Sequence, residues 1–87
     1  MNNEPEAIIV TIVSTNDKIS LDMELPASLP ISKIKQQILE VLRNIYAGVF
    51  VGWNDCKLVY SNRFLDDGES LNSSGVCEGS YLYVVKI

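Results

Sequence analysis

The chain has 87 residues, 47% of them hydrophobic and 21% charged, and seven Lys and Arg against eleven Asp and Glu give a net charge of −4. At roughly 100–150 residues per domain this is one folded unit, whose core leaves little volume for an enclosed cofactor cavity, so no cofactor is expected. The acidic balance argues against binding to nucleic acid, and the absence of histidine removes the commonest general base, metal ligand and near-neutral pH switch.

The start, Met1-Asn2-Asn3-Glu4-Pro5-Glu6, is acidic where a secretory signal is basic. No apolar run approaches the roughly 18 residues of a membrane span, so direct membrane insertion is not expected. A flexible leader over 1–6 and a single domain over 7–87 follow. Cys56 and Cys77 lack the paired spacing of a zinc site or redox dithiol and read as free thiols in a reducing cytosol.

Ala7 to Ser14 is rich in β-branched residues and reads as a strand, followed by the turn-like Thr15-Asn16-Asp17-Lys18. Ile8, Val10 and Ile12 are favoured as its core set, because Thr11 interrupts the opposite set of Ile9 and Val13. The next segment alternates: Ile19, Leu21, Met23 and Leu25 share one face, and Ser20, Asp22 and Glu24 the other. Pro26-Ala27-Ser28-Leu29-Pro30 breaks this strand, and the fixed φ of Pro30 suits the first turn of a helix. From Ile31 the period changes, with Ile31, Ile34, Ile38, Leu42 and Ile45 recurring at helical steps and Val41 widening the stripe. An amphipathic helix of about four turns is predicted, with Lys33, Lys35, Gln37, Glu40 and Arg43 on its polar sides and its end near Gly48. Lys33 and Lys35 lie near the end where the helix dipole prefers acids, so packing must stabilise it.

Ala47 to Trp53 is apolar and uncharged, which is unusual for a connection between helix and strand. Val49, Phe50 and Trp53 either fold back as a lid over the open end of the core or form an exposed docking patch. Lys57 to Tyr60 reads as a short strand, and Ser61-Asn62-Arg63 turns it toward Phe64-Leu65. Asp66-Asp67-Gly68 has turn chemistry, with carboxylates to bond nearby backbone N–H groups and a glycine free to take positive φ. A turn role is far commoner for such adjacent carboxylates than acid–base catalysis or metal binding. Leu65, Leu71 and Val76 are core anchors between loops, and Glu78-Gly79-Ser80 turns into a last strand, Tyr81 to Ile87. There Leu82 and Val84 alternate with Tyr81, Tyr83 and Val85, so both faces carry apolar weight.

Hairpin, long helix, short strand, irregular turns and last strand make a ββαββ plan, an α+β fold in which one long helix packs across a mixed sheet. Lys57-Leu58-Val59-Tyr60-Ser61-Asn62-Arg63-Phe64-Leu65-Asp66-Asp67-Gly68-Glu69-Ser70-Leu71 closely resembles ubiquitin's third strand and the Leu-Glu-Asp-Gly-Arg-Thr-Leu that follows it. Leu25-Pro26 followed by Ile31, Ile34 and Ile38 is similar to ubiquitin's strand-to-helix spacing. The resemblance spans nearly the whole chain after Pro5 and implies the ubiquitin-like β-grasp. Leu25-Pro26-Ala27-Ser28-Leu29-Pro30-Ile31, leading directly into the helix, further resembles the small bacterial ubiquitin-like proteins of the YukD and EsaB family. These accompany the type VII (WXG100, Ess) secretion machinery of Firmicutes. The helix-to-strand connection is longer than in those relatives, so Ala47 to Asp55 stands outside the resemblance.

Ubiquitin ends in a flexible tail closing on Gly-Gly, whereas this chain stops at Lys86-Ile87, so covalent conjugation is not expected. Ubiquitin binds partners through an apolar patch on its exposed sheet face, whose two central aliphatic positions fall by resemblance on Val59 and Val85. Tyr83, and Tyr81 beside it, would extend that patch, tyrosine being common at interface centres; ordinary exposed β-propensity is the plainer reading of the same residues. Phe50 and Trp53 join the candidates if their segment is a docking patch. No catalytic or metal-binding residue is expected, since Ser73, Ser74 and Cys77 lack an activating base. The resemblance implies a cytoplasmic, non-conjugated adaptor, held at the membrane only through protein partners. These would be cytosolic domains of membrane-bound secretion subunits, either the pseudokinase-like subunit or the FtsK/SpoIIIE-type ATPase. A protein modifier and a general interaction module unrelated to secretion are the alternatives, and the oligomeric state is left open.

Overall fold

The first strand, β1 (Ala7–Ser14), pairs antiparallel over its full length with β2 (Ile19–Pro26), Ala7 opposite Pro26 and Ser14 opposite Ile19. This computed structural model describes residues 7–14 and 19–87. The predicted leader and the loop from Thr15 to Lys18 lie outside the described residues. Side chains alternate as the strand pleat requires: Ile8, Val10, Ile12, Met23 and Leu25 are buried, while Ile9, Ser20, Asp22 and Glu24 face out.

The helix α1 (Ile31–Ile45) crosses the covered face of the sheet and buries Ile31, Ile34, Ile38, Leu39 and Leu42. Three details differ from the periodicity. Ile45 is 54% exposed, because α1 ends there and the chain turns at Tyr46. Leu39 joins the core. Lys35, expected on a wet side, is buried with its ammonium between two carboxylates, Asp67 at 2.9 Å and Asp55 at 3.3 Å. The start of α1 has no side-chain cap; its first amides instead donate to the carbonyls of Glu69 at 2.7 Å and Asp67 at 3.2 Å. A turn far along the chain thus satisfies donors that a helix start leaves unpaired.

After α1 comes a four-residue helix, α2 (Ala47–Phe50), which sequence periodicity does not show. Phe50 is fully buried and Trp53 is 5% exposed, so neither presents an exposed docking patch. They close over the core as a lid, ring against ring in a T-shaped contact with centroids 4.9 Å apart. The guanidinium of Arg43 on α1 donates to the carbonyl oxygen of Trp53 at 2.6 Å and pins the segment down. Val49 and Val51 remain exposed.

The second half of the sheet is β3 (Cys56–Tyr60), β4 (Arg63–Phe64) and β5 (Tyr81–Lys86). A two-residue turn joins β3 to β4, with Ser61 at φ 53° and Asn62 at φ 67°, the left-handed pair that a tight hairpin demands. The turn at Asp66 also works differently from expectation. Gly68 does not take positive φ, and the carboxylate that captures the backbone is that of Glu69, which accepts from the Asp66 amide at 2.9 Å. The carboxylate of Asp67 is engaged by Lys35 instead.

The sheet order is β2-β1-β5-β3-β4, with β1 and β5 parallel and every other pair antiparallel. This is the ubiquitin-like β-grasp, a mixed five-stranded sheet with a helix packed across one face. Leu58, Leu65, Leu71, Val76, Leu82 and Val84 complete the core beneath α1. Burying each such side chain contributes about 1.5–3 kcal/mol. Among the described residues, the opposite face of the sheet carries no helix.

Candidate functional site

That uncovered face gathers the residues singled out on β3 and β5. In the β3–β5 register Val59 lies opposite Tyr83 and Lys57 opposite Val85; in the β1–β5 register Val13 lies beside Tyr83 and Thr11 beside Tyr81. Paired residues point to the same side of a sheet, so Val59, Tyr81, Tyr83 and Val85 form one surface across adjacent strands. Tyr81 is 57% exposed and Tyr83 39%, with Val59 and Val85 half-buried between their neighbours. Leu82 and Val84 on the intervening positions are core, which is what holds the tyrosines outward. Phe50 and Trp53 belong to the opposite side of the molecule's chemistry, inside the core.

Two further side chains enlarge the patch beyond the sequence reading. Phe64 on β4 pairs with Val59 and is 57% exposed, and Ile9 on β1 is 47% exposed, one pleat along from Thr11. Phe64 stands directly before the core residue Leu65, a stretch too short for its alternation to be read from the sequence. Carboxylates border the β2 side of the surface, where Asp22 and Glu24 are exposed and the hydroxyl of Thr11 donates to Asp22 at 2.8 Å. The exposed Lys57 lies on the β3 side. The face is therefore aromatic and aliphatic at its centre, acidic along one flank and basic at the other.

A second cluster lies on the helix side. A cleft of about 270 Å³ is lined by Ser32, Lys35, Gln36, Asn54, Asp55 and Asp67, among others. Burial works against the Lys35 ammonium, but the hydrogen bonds it donates to Asp67 and Asp55 outweigh it and raise its pKa above the ordinary lysine value. Asp55 is held below the usual range by the Cys56 amide first and by Lys35 second. A lysine held protonated in this way is an ion-pair anchor between helix and loops and lacks the free electron pair of a nucleophile or base. Cys56 is buried, which pushes its thiol up to about 11, and Cys77 is exposed; both are free.

No family model and no curated protein matches the sequence. Solved structures do match. The ubiquitin-like domain of EccD5 from Mycobacterium xenopi superposes with a TM-score of 0.80 at 20% identity, over 95% of this chain and 97% of that one. The ubiquitin-like domain of the Mycobacterium tuberculosis type VII secretion system protein EccD1 gives 0.74 at 22% identity, over 92% and 98%. A ubiquitin-like domain of an Arabidopsis thaliana protein gives 0.72 at 23% identity, over 98% and 82%. Likeness at these identities establishes the fold. No helix among the described residues is long and apolar enough to cross a membrane.

Proposed function

We propose that the chain is a non-enzymatic, non-conjugated ubiquitin-like adaptor of type VII secretion, acting by protein–protein binding through the uncovered sheet face. The observation that carries the binding mode is the contiguous surface of Val59, Phe64, Tyr81, Tyr83 and Val85, apolar and exposed where a helix-free sheet face could have been polar. The likeness to two EccD ubiquitin-like domains supports the pathway, and the Leu25-to-Ile31 stretch supports a YukD- and EsaB-like accessory within it. Its partners are then cytosolic domains of the membrane-bound subunits, the pseudokinase-like protein or the FtsK/SpoIIIE-type ATPase, and its place is the cytoplasm beside that machinery.

A tagged copy, crosslinked in its native cells and analysed by mass spectrometry, tests this. Recovery of type VII membrane subunits, joined through Tyr81, Tyr83 or the neighbouring Lys57, is the expected result. Val59→Glu combined with Tyr83→Lys should abolish that recovery with the fold intact, at a cost of about 0.5 kcal/mol at the exposed Tyr83 and about 1 kcal/mol at the half-buried Val59. Loss of the fold in this variant would make the face part of the core and refute the reading. The Arabidopsis neighbour, as similar in shape as one of the secretion domains, favours a second reading, a general ubiquitin-like module or modifier unrelated to secretion. Isopeptide-linked products, or partners wholly outside secretion, would establish it.

A further inference from the structure

We propose that the outer edge of β2 is a second docking site, which takes an extended peptide in which Lys or Arg alternates with aliphatic residues. β2 stands at the end of the sheet order, and among the described residues its only partner strand is β1. Its eight residues pair one-to-one with β1, so no bulge twists the edge away, and its one proline, Pro26, is the final residue. Such an edge presents a row of outward backbone N–H and C=O groups that an added strand can pair.

The side chains along this edge say which strand. On the uncovered face Ser20, Asp22 and Glu24 are exposed at every second position. Thr11 fixes Asp22 through one oxygen and leaves the other open, and Glu24 lies opposite Ile9. Two carboxylates thus line the strand, and no salt bridge among the described residues neutralises Asp22 or Glu24. On the other face Ile19 and Leu21 are half-buried at the rim of the core. An added strand therefore meets carboxylates on one side and unfinished apolar cover on the other, and opposite charges directly across a strand pair attract.

A second copy of the chain is a poor occupant. Antiparallel pairing of β2 with itself, with both cores on one side of the joint sheet, brings Asp22 against Asp22 or Glu24 in the registers that overlap most. The same carboxylates that repel a copy select a cationic strand. This edge is three strand spacings, about 14 Å, from Val59 on β3, so it is separable from the uncovered face and independent of what that face binds.

The test titrates the ¹⁵N-labelled protein with a six-residue peptide of alternating lysine and valine, and in parallel with one of alternating glutamate and valine. The lysine peptide should shift amides of residues 19–26 and slow hydrogen exchange at alternate residues of β2, with affinity falling as salt is added. Glu24→Lys should weaken it several-fold, and Asp22→Lys with Glu24→Lys should reverse the preference between the peptides, a change of roughly tenfold or more. The proposal is overturned by the absence of shifts at millimolar peptide, by equal response to both peptides, or by shifts centred on Val59 and Tyr83. Concentration-dependent dimerisation through β2 without peptide would overturn it as well.

Discussion

Lys35 shows how much a single side chain can depend on residues distant in sequence. Its aliphatic stem is buried against the helix side of the core while its ammonium is shared by Asp55 and Asp67, each more than half exposed. The two carboxylates back each other up, because either alone still pairs the cation. Asp55→Asn and Asp67→Asn should each cost about 1 kcal/mol, whereas the double variant should cost about 3–5 kcal/mol, since it leaves a buried charge without a partner. Lys35→Met keeps the buried volume and frees two solvated carboxylates, so it should stay within about 1 kcal/mol of the native chain. Urea denaturation of the four proteins measures all of this, and strict additivity of the two Asp changes would refute the shared pairing. The periodicity of α1 places Lys35 beside the apolar stripe, but it fixes only the direction of the Cβ. Where the end of a four-carbon stem goes is decided by Asp55 and Asp67, which no local pattern links to the helix.

Among the elements, the segment from Ala47 to Asp55 was the least legible in the sequence. Its composition allowed a lid or a patch, because a run of Val, Phe and Trp has the same hydropathy in either place. The choice rests on the Arg43 guanidinium reaching the Trp53 carbonyl and on the Phe50–Trp53 ring contact, geometry that composition does not carry. Trp53→Ala should therefore destabilise by about 3–5 kcal/mol, the range for emptying a buried aromatic site. Arg43→Ala should cost about 1–2 kcal/mol and loosen the lid without unfolding the domain. Trp53 is the single tryptophan, so its fluorescence reports on the lid alone. Faster quenching by acrylamide in Arg43→Ala, with far-UV circular dichroism unchanged, is the expected signature, and unaltered quenching would mean the hydrogen bond does not hold the lid. The strands and α1 were legible for the opposite reason. β2 alternates and α1 repeats at helical steps because one side of each faces the core, so a local pattern records a global fact.

At the scale of the whole molecule, the sheet's uncovered face was half legible. Val59 and Val85 came from the resemblance to ubiquitin and Tyr83 from its place beside Val85 on the last strand, while Phe64 and Ile9 required the strand register, which a single sequence leaves open. Charge, in contrast, can be followed across the entire fold through its pH dependence. Glu69 accepts from Arg63, from the Asp66 amide and from Ser74, and in that order these hold its pKa at about 2 against an ordinary 4.5. A carboxylate lowered in the folded state stabilises the fold above the unfolded value, so this contribution is complete above pH 4.5 and is lost as pH falls toward 2. Asp55, also lowered, adds to the same acid limb. Cys56 acts at the other end. Burial raises its thiol from 9.0 to about 11, so above pH 9 the unfolded chain releases a proton that the folded chain keeps, and stability falls until about pH 11. Lys35, raised above 10.5, stabilises the fold below that value and loses its contribution as pH climbs through the folded pKa. Stability should thus be flat between about pH 5 and pH 9 and fall on both sides. Glu69→Gln lowers the plateau but flattens the acid limb. Cys56→Ala removes the loss that begins near pH 9 and leaves the later one belonging to Lys35. Chemical denaturation from pH 2 to pH 11 resolves the two limbs, and an alkaline limb that still begins at pH 9 in Cys56→Ala would show that the buried thiol is not its source.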